Sequence, residues 1–367
     1  MRHKLLFVGD IVLETEPVLS PALRRIFDEQ TIRCCNLEAP LRGKGYPIAK
    51  TGPVLNQRND AVHLLQTLGF SLFAMANNHI YDYGEEGLNH TLAALAKDST
   101  IGVGNQAQAY GLLIKTIDGV RYGFVAYGEN GYGALEGEKE VGYAWINHPR
   151  VRADIADYKT QVDLLIVQVH AGVEMIDVPI PEWRNRYREL IDSGADVVIG
   201  HHPHMVQGME YHHNKPIFYS LGNFYFDGIA DTKSWNTGAM LELEVENGQL
   251  AGCHLHIVEK TGNDLHLHTP AASQQLLDRL SQRLTPEADY FAYVDQIAVD
   301  QWHKYHAKYY AKAFNGFPDY SLRALLKHLK RLVFHRKTDY NLLWHNLKIE
   351  SNLWIVQRAM QRLLGKK

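Results

Sequence analysis

The sequence predicts an α/β fold in which successive strands deliver polar side chains to their C-terminal ends, and three observations carry that expectation. Apolar runs of strand length alternate with segments of helical period over about the first 260 residues. Run after run stops at residues that carry chemistry, at Asp10, at Asn36 and Glu38, at Asn78 and His79, at His170, and at His201-His202-Pro203-His204. Finally, Asp163-Leu164-Leu165-Ile166-Val167-Gln168-Val169 is almost continuously apolar, as a strand covered on both faces must be.

Taken in order, Met1 to Asp10 reads as the first core strand, with Gly9 allowing the backbone to turn before Asp10. The apolar run is too short for a leader peptide and ends on a carboxylate. Val18 to Gln30 has helical period, and Thr31 to Cys35 is a second strand running into Asn36-Leu37-Glu38. After a Gly- and Pro-rich loop (43–53), Asp60 to Leu68 forms an amphipathic helix that buries Leu64, Leu65 and Leu68. Phe70 to Ala76 is a third strand ending at Asn77-Asn78-His79, and Gly84 to Lys97 returns to helical spacing through Leu88, Leu92 and Leu95.

Ile101 to Asn105 is a short strand, and Gly111 to Tyr127 a hairpin turning at Asp118-Gly119. A glycine-rich stretch (128–142) precedes the His170 strand, which leads to Gly172 and Glu174. Helix Pro181 to Ser193 and the run Ala195 to Ile199 then deliver Gly200-His201-His202-Pro203-His204, where the fixed φ of Pro203 holds two imidazoles on one short turn. Lys215 to Phe224 is another strand and turn, and Ala239 to Val258 a hairpin about Asn247-Gly248.

Composition sets the frame. With 367 residues, 46% hydrophobic and 22% charged, the chain has material for a large core and one extension. A net charge of −3 argues against nucleic acid as a partner of the whole chain. Three cysteines, two of them adjacent on an apolar strand, suit reduced thiols and a cytoplasmic chain.

The candidate residues form one set: Asp10, Glu38, Asn78, His79, His170, His202 and His204, with Asn36, Glu174, His201 and Asn223 close by. Carboxylate, amide oxygen and imidazole together suit Mn, Fe or Zn. A carboxylate shared by two cations partly cancels their repulsion, and such a pair can clamp a phosphoryl oxygen. Any one of these residues has an ordinary explanation: Asp10 as a helix cap, Asn77-Asn78 as a turn, Glu38 as a loop carboxylate. Their recurrence at separate strand ends does not. His212, His213, His254, His256, His266 and His268 are read as surface residues rather than as a second metal site.

Gly9-Asp10, Asn36-Leu37-Glu38, Asn77-Asn78-His79 with Asp82-Tyr83-Gly84, His170 with Glu174, Gly200-His201-His202-Pro203-His204, and Tyr219-Ser220-Leu221-Gly222-Asn223-Phe224 together resemble the bacterial capsule-synthesis family typified by CapA. That family is itself similar to calcineurin-like metallophosphoesterases. The resemblance covers roughly residues 3 to 260 and implies a four-layer α-β-β-α sandwich with a dinuclear centre at the strand ends. It implies Asp10 and His204 on one ion, Asn78, His170 and His202 on the other, and Glu38 between them. It further implies His79 as general acid, with His201 and Glu174 as its companions at the catalytic site and Asn36 and Asn223 as ligand-orienting or substrate-contacting residues. Two positions depart from the pattern. Val12 stands where many metallophosphoesterases have histidine, which favours a weakly held first ion or a single ion, and Ala171 stands where tryptophan is common, which widens the pocket.

The expected domains are residues 1–265, carrying the site, and 266–367, a basic helical extension. In the extension, Leu276 to Leu284 is helical, 287–310 is rich in aromatic residues, Asn315-Gly316-Phe317-Pro318 marks a break, and Leu322 to Arg336 and Leu342 to Leu364 are helices. The favoured reading is an appendage packed on the sandwich by its apolar face. Peripheral contact with an anionic membrane, and a lid or dimer contact, are the alternatives. The expected function is a metal-dependent hydrolase or transferase acting on a phosphate ester or a small-molecule or polymer component of a capsule. The alternative is a non-catalytic metal-binding accessory protein of a capsule or poly-γ-glutamate synthesis complex.

Overall fold

A computed structural model describes residues 1–314, 321–333 and 339–366. These divide into two compact units, Met1–Ile48 with Val54–Pro286 and Ala49–Pro53 with Glu287–Lys367.

Two sheets face each other in the first unit. One has strand Arg2–Val12 near its middle, with Ile32–Leu37, Leu72–Ala74 and Thr100–Ile101 following in parallel on one side. On the other side the antiparallel strands Thr237–Glu246, Gln249–Thr261 and Asp264–Leu267 extend it, and Asn223–Phe226 pairs in parallel with the far end of the first strand. In the second sheet Leu164–His170 and Val197–His201 lie side by side in parallel, flanked by Val120–Gly128 and Lys215–Phe218. Every residue of Leu164–His170 is buried, because one face meets the opposing sheet and the other meets helices.

The sheets meet through side chains such as Phe7 and Phe124, whose rings lie 6.4 Å apart. Helices Pro21–Asp28, Ala61–Thr67 and Gly84–Ala93 bury Leu23, Phe27, Val62, Leu65 and Leu88 into the same core as the first sheet. Helices Val151–Gln161 and Pro181–Asp192 pack on the second. The layers are therefore helix, sheet, sheet, helix.

Several local expectations are corrected. Val18 to Gln30 is not one helix: Val18–Leu19 pairs with Asp264–Leu267 and the helix starts at Pro21. Ile101 to Asn105 splits at Gly102, with Val103–Asn105 leaving the large sheet to pair with Val141–Tyr143. The Ala61–Thr67 helix buries Ala61, Val62 and Leu65, leaving Leu64 and Leu68 only partly covered. Lys215 to Phe224 is two strands, because the chain turns at Gly222 to reach the other sheet. Helix Pro270–Gln282, assigned by sequence to the extension, belongs to the first unit, where Ser273 and Ser281 hydroxyls accept from the amides of Ile257 and Met209.

The second unit is helical, with Glu287–Gln301, a π-helical segment Trp302–His306, Ala307–Ala313, Leu322–Val333, Tyr340–Lys348 and Glu350–Leu363. Tyr290, Val294, Ile355 and Ala359 are buried in it, and Asn346 meets His306 at 3.1 Å. The expected helix from Leu342 to Leu364 breaks at Ile349, which is extended. The expected break at 315–318 and the end of the Leu322 to Arg336 helix lie outside the described residues. Among the described residues no helix is long and apolar enough to cross a membrane.

A charged cluster fastens helix Pro181–Asp192 to the sheet edge. Glu210 accepts from Arg184 (3.2 Å), Arg188 (2.7 Å) and the Tyr219 hydroxyl (2.5 Å). Burial raises its pKa, but these three donors outweigh it and bring the carboxyl down to about 2. A depressed carboxyl contributes stability above its unfolded pKa, and the contribution is lost as pH falls toward the folded value. Glu210→Gln is therefore expected to cost about 2 kcal/mol in urea denaturation at pH 7, after allowance for solvent screening. The gap from the parent should close between about pH 5 and pH 2. A gap of the same size at both ends of that range would contradict the assignment.

Candidate metal centre

Asp10 sits where the first strand changes partners. Its backbone lies opposite Asn36 on one side and Asn223 on the other, and the pairing register slips on both sides of it. Gly9 permits this crossing, because a Cβ there would fall 2.0 Å from the carbonyl oxygen of Gly222. One register row thus holds Asp10, Asn36 and Asn223, all buried.

Each of the three directs the site. Asn36 Nδ2 donates to Asp10 Oδ1 (2.9 Å) and lies 3.1 Å from His170 Nδ1. Asn223 Oδ1 is 2.9 Å from His204 Nδ1, while its Nδ2 donates to the Trp235 carbonyl. With Nδ1 engaged in this way, His170 and His204 present Nε2 to a common space, where the nitrogens stand 3.6 and 3.7 Å from Glu38 Oε1. His170 Nε2 is also 2.9 Å from Asn78 Oδ1 and 3.1 Å from His202 Nδ1.

The histidine loop holds its shape at some cost. His202 and His204 both have positive φ, +94° and +55°, a region that side chains rarely enter. Their surroundings hold them there: the His202 amide donates to Asp10 Oδ2 (3.2 Å), and the Trp235 ring lies 4.7 Å from that of His204. Gly172 leaves room for Pro203, whose Cγ would be 2.8 Å from a Cβ at that position.

The electrostatics are those of a site rich in buried carboxylate, in which burial lowers the pKa of His202 but Glu129 beside Nε2 outweighs it and raises that pKa. Glu38 is fully buried, and neither carboxylate oxygen has a hydrogen-bond donor among the described residues. Burial first, and then the charge of Asp10, push its pKa well above the carboxylate range. Burial acts the same way on Asp10, yet hydrogen bonds from His201 and His204 hold it well below that range. Burial and the neighbouring His202 keep the His170 pKa low, so imidazolium at His170 does not neutralise the pair. A buried carboxylate with no donor is expensive, and a divalent cation bound by this donor set would offset that cost. Asp10, Glu38 and His204 form one group with donor atoms mutually within 4.8 Å, and Glu38, His170 and His202 form another. The residues fit divalent metal binding.

The remaining predicted residues separate by position. Asn78 is partly exposed. His79 is buried with Nδ1 2.7 Å from Asp82, which is itself fully buried. Glu174 is exposed at the rim, in a third group with His202 and His204. His201, expected among the catalytic residues, is instead buried behind Asp10: Nδ1 lies 3.3 Å from Asp10 and Nε2 3.3 Å from Gln168. There it supports the carboxylate. Three contributors were missed. Buried Glu129 approaches His202 Nε2 at 3.1 Å, Trp235 packs on His204, and Asp82 was seen only as part of a motif. Glu129 carried a readable signal, since the apolar run Phe124 to Tyr127 ends in Gly128-Glu129. His212 and His213 gather on Asp192 at the opposite end of the sheet, while His256 and His268 are partly buried rather than fully exposed.

Two facing sheets between helical layers, with imidazoles and carboxylates gathered at the strand ends, define a four-layer α-β-β-α sandwich with a candidate metal centre. Over residues 4–228 the chain matches the family described as bacterial capsule synthesis protein PGA_cap, and it belongs to that family. It is 30% identical over 265 residues to the PGA biosynthesis protein CapA of Bacillus subtilis, covering 68% of this chain and 64% of that one. It is also 30% identical over 192 residues to the capsule biosynthesis protein CapA of Bacillus anthracis, covering 50% and 47%. The matches thus span less than two thirds of either relative. Among solved structures, a hypothetical protein from Thermus thermophilus aligns with 70% of this chain and 100% of its own, at 16% identity and a TM-score of 0.46.

If a cation satisfies Glu38, adding Mn²⁺ to metal-stripped protein should raise its thermal midpoint, by about 2.7 kcal/mol of stability at a hundredfold excess over Kd. Glu38→Gln should abolish that rise while leaving the metal-free midpoint equal to or above the parent's. Equal metal-induced rises in the two proteins would show that Glu38 is not a ligand.

Proposed function

We propose that the protein is a metal-dependent hydrolase or transferase acting at a phosphate ester in capsule or exopolymer biosynthesis. The observation that carries this reading is the pair of donorless Glu38 oxygens facing three imidazoles, in the same strand-end region as the His79–Asp82 pair. Asp10, Glu38 and His204 would hold one ion, and Asn78, His170 and His202 a second, with Glu38 shared. Mn, Fe and Zn all suit these donors. Bound there, such ions polarise a phosphoryl oxygen and lower the pKa of water.

The chain's own groups supply the rest. The Asp82 carboxylate holds His79 through Nδ1, which leaves Nε2 as the atom that would pass a proton to a departing oxygen. Asn36 and Asn223 fix the ring orientations of His170 and His204. Glu174 at the rim meets whatever enters, a small molecule or the end of a polymer. The partner that fits the family is a capsule-synthesis complex. Unpaired Cys34, Cys35 and Cys253 suit a reducing compartment, and the cytoplasm is the location we propose.

A second reading, a non-catalytic metal-binding component of a capsule or poly-γ-glutamate machine, is favoured by Val12. This side chain is buried and apolar where a nitrogen ligand would complete the Asp10 ion, which leaves a single ion as the simpler occupancy.

The two readings separate in one experiment. Protein loaded with Mn or Fe should hydrolyse a p-nitrophenyl phosphomonoester or diester, and His79→Ala should lower kcat by about 10²- to 10⁴-fold with metal content unchanged. Equal turnover by parent and variant removes His79 as the acid. Bound metal with no turnover by the parent supports the accessory reading.

A further inference from the structure

In the second unit, helix Leu322–Val333 starts at Ser321, whose hydroxyl accepts from the Ala324 amide at 3.2 Å. Leu322, Leu325, Leu326, Leu329 and Val333 fall on one stripe roughly 100° wide. This stripe is exposed: the five residues are 72%, 39%, 59%, 48% and 73% exposed, while Ala324 on another face is buried. Arg323, Lys327 and Lys330, also exposed, run along one edge of the stripe. From Ser321 to Thr338 the sequence has six lysines and arginines and no acidic residue.

The next helix carries a similar face. Tyr340, Trp344 and Leu347 are 72%, 56% and 46% exposed at helical spacing, with Lys348 adjoining. Tyrosine and tryptophan favour the headgroup level of a bilayer, where one end of the ring is apolar and the other wet.

The geometry points to an anionic lipid surface as the occupant of this face. The leucine stripe would enter the boundary of the acyl chains while the flanking lysines and arginines meet lipid phosphates, with the helix lying in the membrane plane. Charge decides against a second copy of the chain, which would set the same run of cations against itself. The proposal does not depend on the hydrolase reading of the first unit.

The test is flotation of the full-length protein with vesicles of phosphatidylcholine alone and with 30% phosphatidylglycerol added, each at low and at physiological salt. Binding to the anionic vesicles should exceed that to phosphatidylcholine at least tenfold and weaken with salt. Leu326→Glu/Leu329→Glu should reduce it at least tenfold. Lys327→Glu/Lys330→Glu, on exposed positions and expected to keep the parent's circular dichroism and unfolding midpoint, should reduce binding and flatten the salt dependence. The proposal is overturned if the parent does not float with anionic vesicles or if both variants float as the parent does. It is also overturned if the leucine pair instead abolishes a concentration-dependent self-association that vesicles do not compete away, which would assign the face to a second copy.

Discussion

Two carboxylates buried side by side, Asp10 and Glu38, are the constraint around which the first unit is arranged. One is ionised because imidazoles and amides surround it, and the other has no hydrogen-bond donor among the described residues. Such a pair is stable only if something positive joins it or if the surrounding fold is stable enough to carry the penalty. The strands that carry the site, Arg2–Val12, Leu164–His170 and Val197–His201, are almost wholly buried, and the side chains aimed at the gap are imidazole and amide groups rather than lysine or arginine, which would close it.

The placement follows from topology. Asp10 is carried by a strand that exchanges one antiparallel neighbour for a parallel one just where it reaches the site, so Asn36 and Asn223 flank it from both sides. Those asparagines in turn set the ring orientation of His170 and His204. His202 and His204 both take positive φ in the His202-Pro203-His204 turn, and they are held there by Asp10 below and Trp235 beside it. Removing the turn's supports would disturb both groups of donors, because His204 belongs to one and His202 to the other.

Much of this was legible in the sequence because strand ends are legible: a β-branched run that stops at a polar residue needs no knowledge of its neighbours. Asp10, Glu38, Asn78, His170, His202 and His204 were found in that way, and the structure brings them together. Glu129 obeys the same rule but opens a glycine-rich stretch that reads as loop. Trp235 could not be found, because it comes from a loop with no period and matters only through its ring contact with His204. Strand Val18–Leu19 exists because Asp264–Leu267 lies beside it, and no local pattern encodes so distant a partner. His201 was misjudged because adjacency in sequence to two ligands says nothing about facing: one residue earlier on the strand, it points behind the carboxylate.

The direct test of the account is anomalous diffraction from crystals of the metal-stripped protein soaked in Mn²⁺. The account predicts a peak against Glu38, bounded by Asp10 and His204 or by Asn78, His170 and His202, and two peaks if both groups fill. No peak among these residues, with the Glu38 oxygens hydrogen-bonded instead to water or to protein donors, would contradict it.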